Sequence, residues 1–144
     1  MHRRSSSLFG PAAAAALFAF FMASCATTPA QPVVVLPNGY YVQPDKQEQS
    51  EIVKRGGRVV LAGPIAAYAT SGDLVAGALG TAPTAGRLYS DQPYSGTADT
   101  RYFILDTASG KLESNLDAMQ WRDRLKSMGA PSNLEIYPPL PWNQ

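Results

Sequence analysis

Apolar positions along this chain fall into patches of different period. The first is an unbroken apolar run, "LFGPAAAAALFAFFM" from Leu8 to Met22, preceded by the basic "MHRRSSS". Further on, Val33 to Leu36 and Tyr40 to Val42 have strand propensity. Asn38-Gly39 between them is a turn signal, so "VVVLPNGYYV" is expected to form a hairpin or an edge strand. Residues 43 to 51, "QPDKQEQSE", are polar and read as a solvated connection that begins a short helix near Gln47. Two strand-like runs in residues 57 to 79 flank Ser71-Gly72-Asp73, a hairpin turn. Pro64 marks an edge or a bulge there, and an Ala-rich helix starting near it is the rival reading. Residues 81 to 100 are rich in Pro, Gly, Ser and Thr and read as a long polar loop, a common place for a binding surface.

The clearest strand is Tyr102 to Leu105, a continuous apolar run closed by a turn from Asp106 to Gly110. The clearest helix follows. Asp117 is a good N-cap, and Gln120 three residues on completes a capping box. Leu116 and Trp121 occupy the positions of a hydrophobic staple. Ala118, Trp121, Leu125 and Met128 recur at steps of three and four and form one apolar face. Gly129 is placed to cap the C-terminus and Pro131 prevents continuation. This face is expected to pack on the Tyr102–Leu105 strand. The chain then ends in "EIYPPLPWNQ", an extended or polyproline stretch lying along the domain, with Tyr137 and Trp142 as aromatic handles. The predicted fold is α+β: a small, mainly antiparallel β-sheet packed by one C-terminal amphipathic helix.

Composition changes this picture little. Hydrophobic residues make up 45% of 144, enough for one modest core, and the charge balance is near neutral at +1. Without Arg3 and Arg4, ten Lys/Arg face eleven Asp/Glu and the net charge is −1. That balance offers no basic stripe for nucleic acid.

The N-terminal apolar run changes it more. A basic head, about fifteen apolar residues containing Gly10 and Pro11, and the small residues "ASC" follow the layout of a secretory signal peptide. A spanning helix needs roughly twenty apolar residues, which leaves a permanent transmembrane helix as the weaker reading. Residues 22 to 25, "MASC", resemble the lipobox of bacterial lipoproteins. Ala23, Ser24 and Cys25 fit that pattern, and Met22 stands where Leu is commoner. The resemblance covers only the signal region. It implies cleavage between Ser24 and Cys25, with acyl chains such as palmitate on Cys25. Each buried methylene contributes about 0.8 kcal/mol, and stable anchoring takes two chains or more. Ala26 after the cysteine, rather than Asp, implies the outer membrane by the same resemblance, with the domain facing the periplasm. The alternative is cleavage after Ala26, which would release a soluble periplasmic domain. The expected division is a signal at 1–24, a lipidated Cys25 with a flexible tether to residue 37, and a small domain with a Pro-rich tail over 38–144.

"YFILDTASGKLESNLDAMQW" resembles small bacterial domains in which a strand, an Asp-x-x-x-Gly turn and a capped Trp-containing helix follow one another. No characterised family and no function come with that resemblance.

Candidate chemistry is sparse. His2 is the only histidine and Cys25 the only cysteine, both in or beside the signal region. A Ser-His-Asp triad, a Cys-His pair, an internal disulfide and a typical zinc site therefore lack their parts in the domain. Gly72 and Gly77 have P-loop spacing, but Ala78 stands where lysine belongs. Asp73, Asp91, Asp99, Asp106 and Glu113 are the carboxylates available for paired hydrolytic chemistry, although Asp73 and Asp106 sit beside turns, where Asp bonds its own backbone. Arg87, Tyr89 and Tyr94 in the polar loop, with Tyr137 and Trp142 in the tail, form the candidate interaction surface, since Tyr, Trp and Arg dominate interfaces. No metal and no cofactor are expected. The reading is a non-enzymatic envelope protein that binds another envelope protein as an accessory or assembly factor. The alternatives are a module that binds cell-wall polymer and, further off, a carboxylate-based hydrolase.

Overall fold

A computed structural model describes residues 33–81 and 93–139. The described residues build two four-stranded antiparallel sheets and one α-helix. The first sheet is a meander of β1 (Val34–Leu36), β2 (Tyr40–Pro44), β3 (Ser50–Lys54) and β4 (Arg58–Leu61). The second is a meander of β5 (Ile65–Ser71), β6 (Leu74–Leu79), β7 (Arg101–Asp106) and β8 (Lys111–Leu116), followed by α1 (Ala118–Ser127).

The expected single short sheet is corrected to two. The helical start expected near Gln47 is a hairpin turn: the Asp45 carboxylate accepts from the amides of Gln47 at 2.7 Å and Gln49 at 2.9 Å, and Glu48 takes φ +60°. This turn lets β3 fold back on β2, with Val42 opposite Ile52. The segment from Pro64 is strand rather than an Ala-rich helix. Ile65 to Ser71 pairs with β6 around the Gly72–Asp73 turn, with a register shift between Ile65 and Ala67. Val34–Leu36, counted with the tether in the division drawn from sequence, lies in the first sheet, with Leu36 buried.

The layers follow from side-chain alternation. Strands β6 and β7 are buried on both faces and lie at the centre of the second sheet. One face presents Val75, Phe103 and Leu105, which pack with Leu36, Tyr40, Val42 and Ile52 of the first sheet. The other presents Ala76, Ala78, Tyr102 and Ile104, which pack with Trp121 and Leu125 of α1 and with Ile136 of the C-terminal segment. The molecule is therefore sheet on sheet on helix, with two apolar cores on either side of one sheet. The short alanines on the helix side leave room for the Trp121 indole, which stacks on the Tyr102 ring with centroids 4.9 Å apart.

The helix forms as its sequence dictates. The Asp117 carboxylate accepts from the Gln120 amide at 2.8 Å, and the Gln120 side chain accepts from the Asp117 amide at 3.0 Å. Trp121 and Leu125 are buried, Ala118 and Met128 pack at the margin, and Gly129 turns the chain at φ +80°. Among the described residues, no helix is long and apolar enough to cross a membrane.

Candidate functional site

Each sheet has two edges, and their treatment differs. The β5 edge is covered by the C-terminal segment: Tyr68 and Tyr137 exchange backbone hydrogen bonds of 2.9 and 3.1 Å. On the far side of that segment, the Tyr94 amide donates to the Ile136 carbonyl at 2.7 Å. The expected extended tail thus adds to the second sheet and carries the start of residues 93–100 with it. The β8 edge carries Lys111 and Glu113, and Glu113 forms a two-pronged ion pair with Arg124 of α1. The β4 edge carries the exposed Arg58. The β1 edge bears no charge, and among the described residues no strand pairs with its outer side.

Beside β1 lies an open groove of about 630 Å³. One wall is Val34 to Leu36, a second is Tyr68 to Thr70 of β5, and the third is formed by Leu134, Glu135 and Tyr137. Val35 is 72% exposed, and Val33 and Tyr137 are also exposed large apolar side chains. The groove has one charged side chain, Glu135, and the Tyr137 hydroxyl donates to it at 2.8 Å. That hydrogen bond, ahead of burial, raises the Tyr137 phenol above its ordinary value. Burial alone raises the Tyr68 phenol. Neither phenol is activated as a base, and the groove is lined mainly by apolar surface beside the β1 edge.

A smaller and more polar hollow of about 330 Å³ lies near α1, lined by Tyr94, Thr97, Tyr102, Trp121 and Arg122. The Tyr102 phenol is raised, first by burial and then by Tyr94, with Arg122 acting against them.

The structure separates the residues that the sequence grouped into one surface. Tyr137 lines the groove, and Tyr94 lines the smaller hollow. Arg87, Tyr89, Trp142, Ser24, Cys25 and Asp91 lie outside the described residues. Val35, Tyr68 and Leu134 were missed as groove residues. The signal was present only in part: "VVVL" before Asn-Gly marks an apolar edge strand, but nothing in the spacing shows that β5 and residues 134–137 come alongside it.

Three of the carboxylates considered for hydrolysis have structural partners. Asp106 accepts from the amides of Ala108 and Ser109 in its own turn, and the Ser109 side chain first, then these amides, hold its carboxyl below the usual carboxylate range. Asp73 accepts from the Asn38 side chain at 3.0 Å. Glu113 is held down to about 2, chiefly by the Arg124 hydrogen bonds. Among the described residues, no three His, Cys, Asp or Glu side chains gather to hold a metal ion, and nothing there points to catalysis.

Comparison with protein-family models, with curated proteins and with solved structures finds no match to this chain.

Proposed function

We propose that this is a lipid-anchored protein of the bacterial cell envelope that works by binding protein rather than by catalysis. The observation that carries the reading is "FFMASC", residues 20 to 25: the chain's one cysteine follows an apolar run and two small residues, in the lipobox arrangement. Acylation of Cys25 would hold the domain at the outer membrane, facing the periplasm, on the tether that leads into β1. The uncharged β1 edge and the apolar groove beside it supply a surface suited to another polypeptide.

The test is metabolic labelling with an acyl-chain probe, together with membrane fractionation, on the wild type and Cys25→Ser. Label and membrane association that vanish in the variant support the anchor. A wild type that takes no label and stays in the soluble periplasmic fraction overturns it and leaves the plain exported domain.

A second reading rests on the smaller hollow, where Tyr94, Trp121 and Arg122 stand with the hydroxyl of Thr97, a mixture suited to a cell-wall polymer. Co-sedimentation with purified cell wall checks it. A Tyr94→Ala variant that sediments as well as the wild type removes this hollow from consideration.

A further inference from the structure

Among the described residues, the other three sheet edges are either covered or charged, and β1 is neither. An uncharged edge strand with exposed apolar side chains is a template for another strand, and folded proteins commonly block such edges with charge, proline or a covering segment. We propose that the β1 edge is the contact between two copies of this chain, paired antiparallel about Val35. This names the partner for the protein-binding face proposed above and rests on that reading of the face, but it does not need the lipid anchor.

The pairing follows from the strand itself. β1 has three residues, so a two-fold axis at its centre sets Val35 of one copy opposite Val35 of the other. Val34 then meets Leu36 on either side. Every pair is apolar, two of the three residues are β-branched, and no charge meets its like. Self-pairing is unfavourable for an edge that carries a charge at its centre, because the two-fold axis places identical charges face to face. β1 carries no charge at any position, whereas β4 carries Arg58 and β8 carries Lys111 and Glu113. Val35, the residue on the axis, is 72% exposed in the single chain. The second copy would cover it and bring apolar surface over the groove, whose one charge, Glu135, already accepts from Tyr137. The first-sheet meanders of the two copies would then join into one eight-stranded sheet, four strands from each copy.

The chain outside the described residues favours the same occupant. Seven residues, 26 to 32, separate Cys25 from the start of the described chain at Val33, which is at most about 25 Å of extended backbone. Where Cys25 is acylated, all copies share one surface, and the tether delivers β1 of each to the same shallow layer. Confinement of this kind raises the effective concentration of the partner without any new contact.

The full-length chain offers a direct test, because Cys25 is its only cysteine. In Val35→Cys, the two-fold axis puts the new thiols of the two copies opposite each other, within reach of disulfide geometry. Intact cells making the protein are treated with copper–phenanthroline in air, which takes two hydrogens from two thiols and passes the electrons to oxygen. Samples are run without reductant beside wild type and Met119→Cys, whose position is also exposed but lies on the helix. The expected result is a disulfide-linked dimer for Val35→Cys, well above both controls. A dimer yield no greater than that of Met119→Cys overturns the proposal, and this is the result expected if the chain's own residues or a different protein hold the edge. As an independent readout, the detergent-solubilised wild type should sediment at twice the protein mass of Val35→Lys, with equal melting temperatures. Equal masses for the two would also overturn it. Loss of the anchor is read separately by fractionation of the same cells, so failure of the membrane reading and failure of the pairing are distinguishable.

Discussion

The indole N–H of Trp121 donates to the main-chain carbonyl of Phe103 at 3.1 Å, inside the core. The register between β7 and β8 shifts at this point: Tyr102 lies opposite Leu116 and Ile104 opposite Glu113, so Phe103 has no partner residue on β8. The helix therefore supplies, through one side chain, a donor at the place where the strand ladder is interrupted. A buried carbonyl without a donor costs about 1–3 kcal/mol. Trp121→Phe, which keeps most of the apolar volume, should lose about that much in urea denaturation. Trp121→Ala, which also opens a cavity against Tyr102, should lose about 3–5 kcal/mol. Equal stability of the Phe variant and wild type would mean that the carbonyl finds another donor.

The same irregularity depends on Asn115. Between Glu113 and Leu116, β8 carries one more residue than β7, and Asn115 takes φ +60° to absorb it. Asn tolerates this left-handed conformation, and β-branched residues do not. Asn115→Gly should leave the midpoint of denaturation unchanged or raise it. Asn115→Val should cost about 1–2 kcal/mol or more, because each L-residue forced left-handed loses roughly that amount. A valine variant as stable as wild type would show that β8 slips to a regular register.

These two features also mark the limit of what the sequence discloses. The helix was legible to its cap, because its signals are local: Asp117 and Gln120 at the start, Trp121 and Leu125 on one face, Gly129 at the end. The β1–β2, β5–β6 and β7–β8 turns were legible for the same reason. Strand β8 was not, since "KLESNL" has two apolar residues and lies at an edge where its polar side chains face solvent. Strand β3 was hidden by the polar stretch before it. Only Ile52 and Val53 mark its buried positions, and its first residue, Ser50, is polar and buried. The groove is the least local feature of all. It needs β1 and β5, strands of different sheets, and a tail some sixty residues beyond, and no period in the sequence records such an approach. For the aromatic candidates, residue type singled out Tyr137 and Tyr94 but could not assign them to different hollows.

Acid should weaken the β8 edge in a defined window. The Arg124 hydrogen bonds, and then Lys111, hold the Glu113 carboxyl at about 2, against 4.5 in the unfolded chain. A carboxyl lowered on folding binds its proton more weakly in the native state. The stability it contributes is complete above about 4.5 and is lost as the pH falls toward 2. Both partners are partly open to solvent, so the contribution is modest. Thermal melts of wild type should therefore fall below pH 4.5 more steeply than those of Glu113→Gln, and the two curves should converge near pH 2. Parallel curves would show that Glu113 and Arg124 are not paired in solution.

Three turns from the two sheets meet in one polar contact. Asn38, between β1 and β2, donates through its side-chain amide to the Asp73 carboxylate at 3.0 Å and to the Thr107 hydroxyl at 2.9 Å. The Thr107 hydroxyl in turn donates to the Asp73 carbonyl at 2.6 Å, and Thr107 is only 4% exposed. This contact joins the end of the β1–β2 hairpin to the β5–β6 and β7–β8 turns, so it fixes how the two sheets meet at that end. Thr107→Val preserves shape and removes both hydroxyl bonds, and it should cost about 1–2 kcal/mol. Asn38 holds φ +57°, so alanine there would add backbone strain to the loss of the side chain. Asn38→Gly removes the amide and keeps the backbone at ease, which makes it the cleaner partner for a double-mutant cycle. If the side chains act as one unit, the combined variant should lose less than the sum of the two by at least about 0.5 kcal/mol. Strict additivity in urea denaturation would mean that Asn38 and Thr107 stabilise their own turns separately, and that the sheets are held at this end by the apolar contacts of Tyr40 and Leu36 alone.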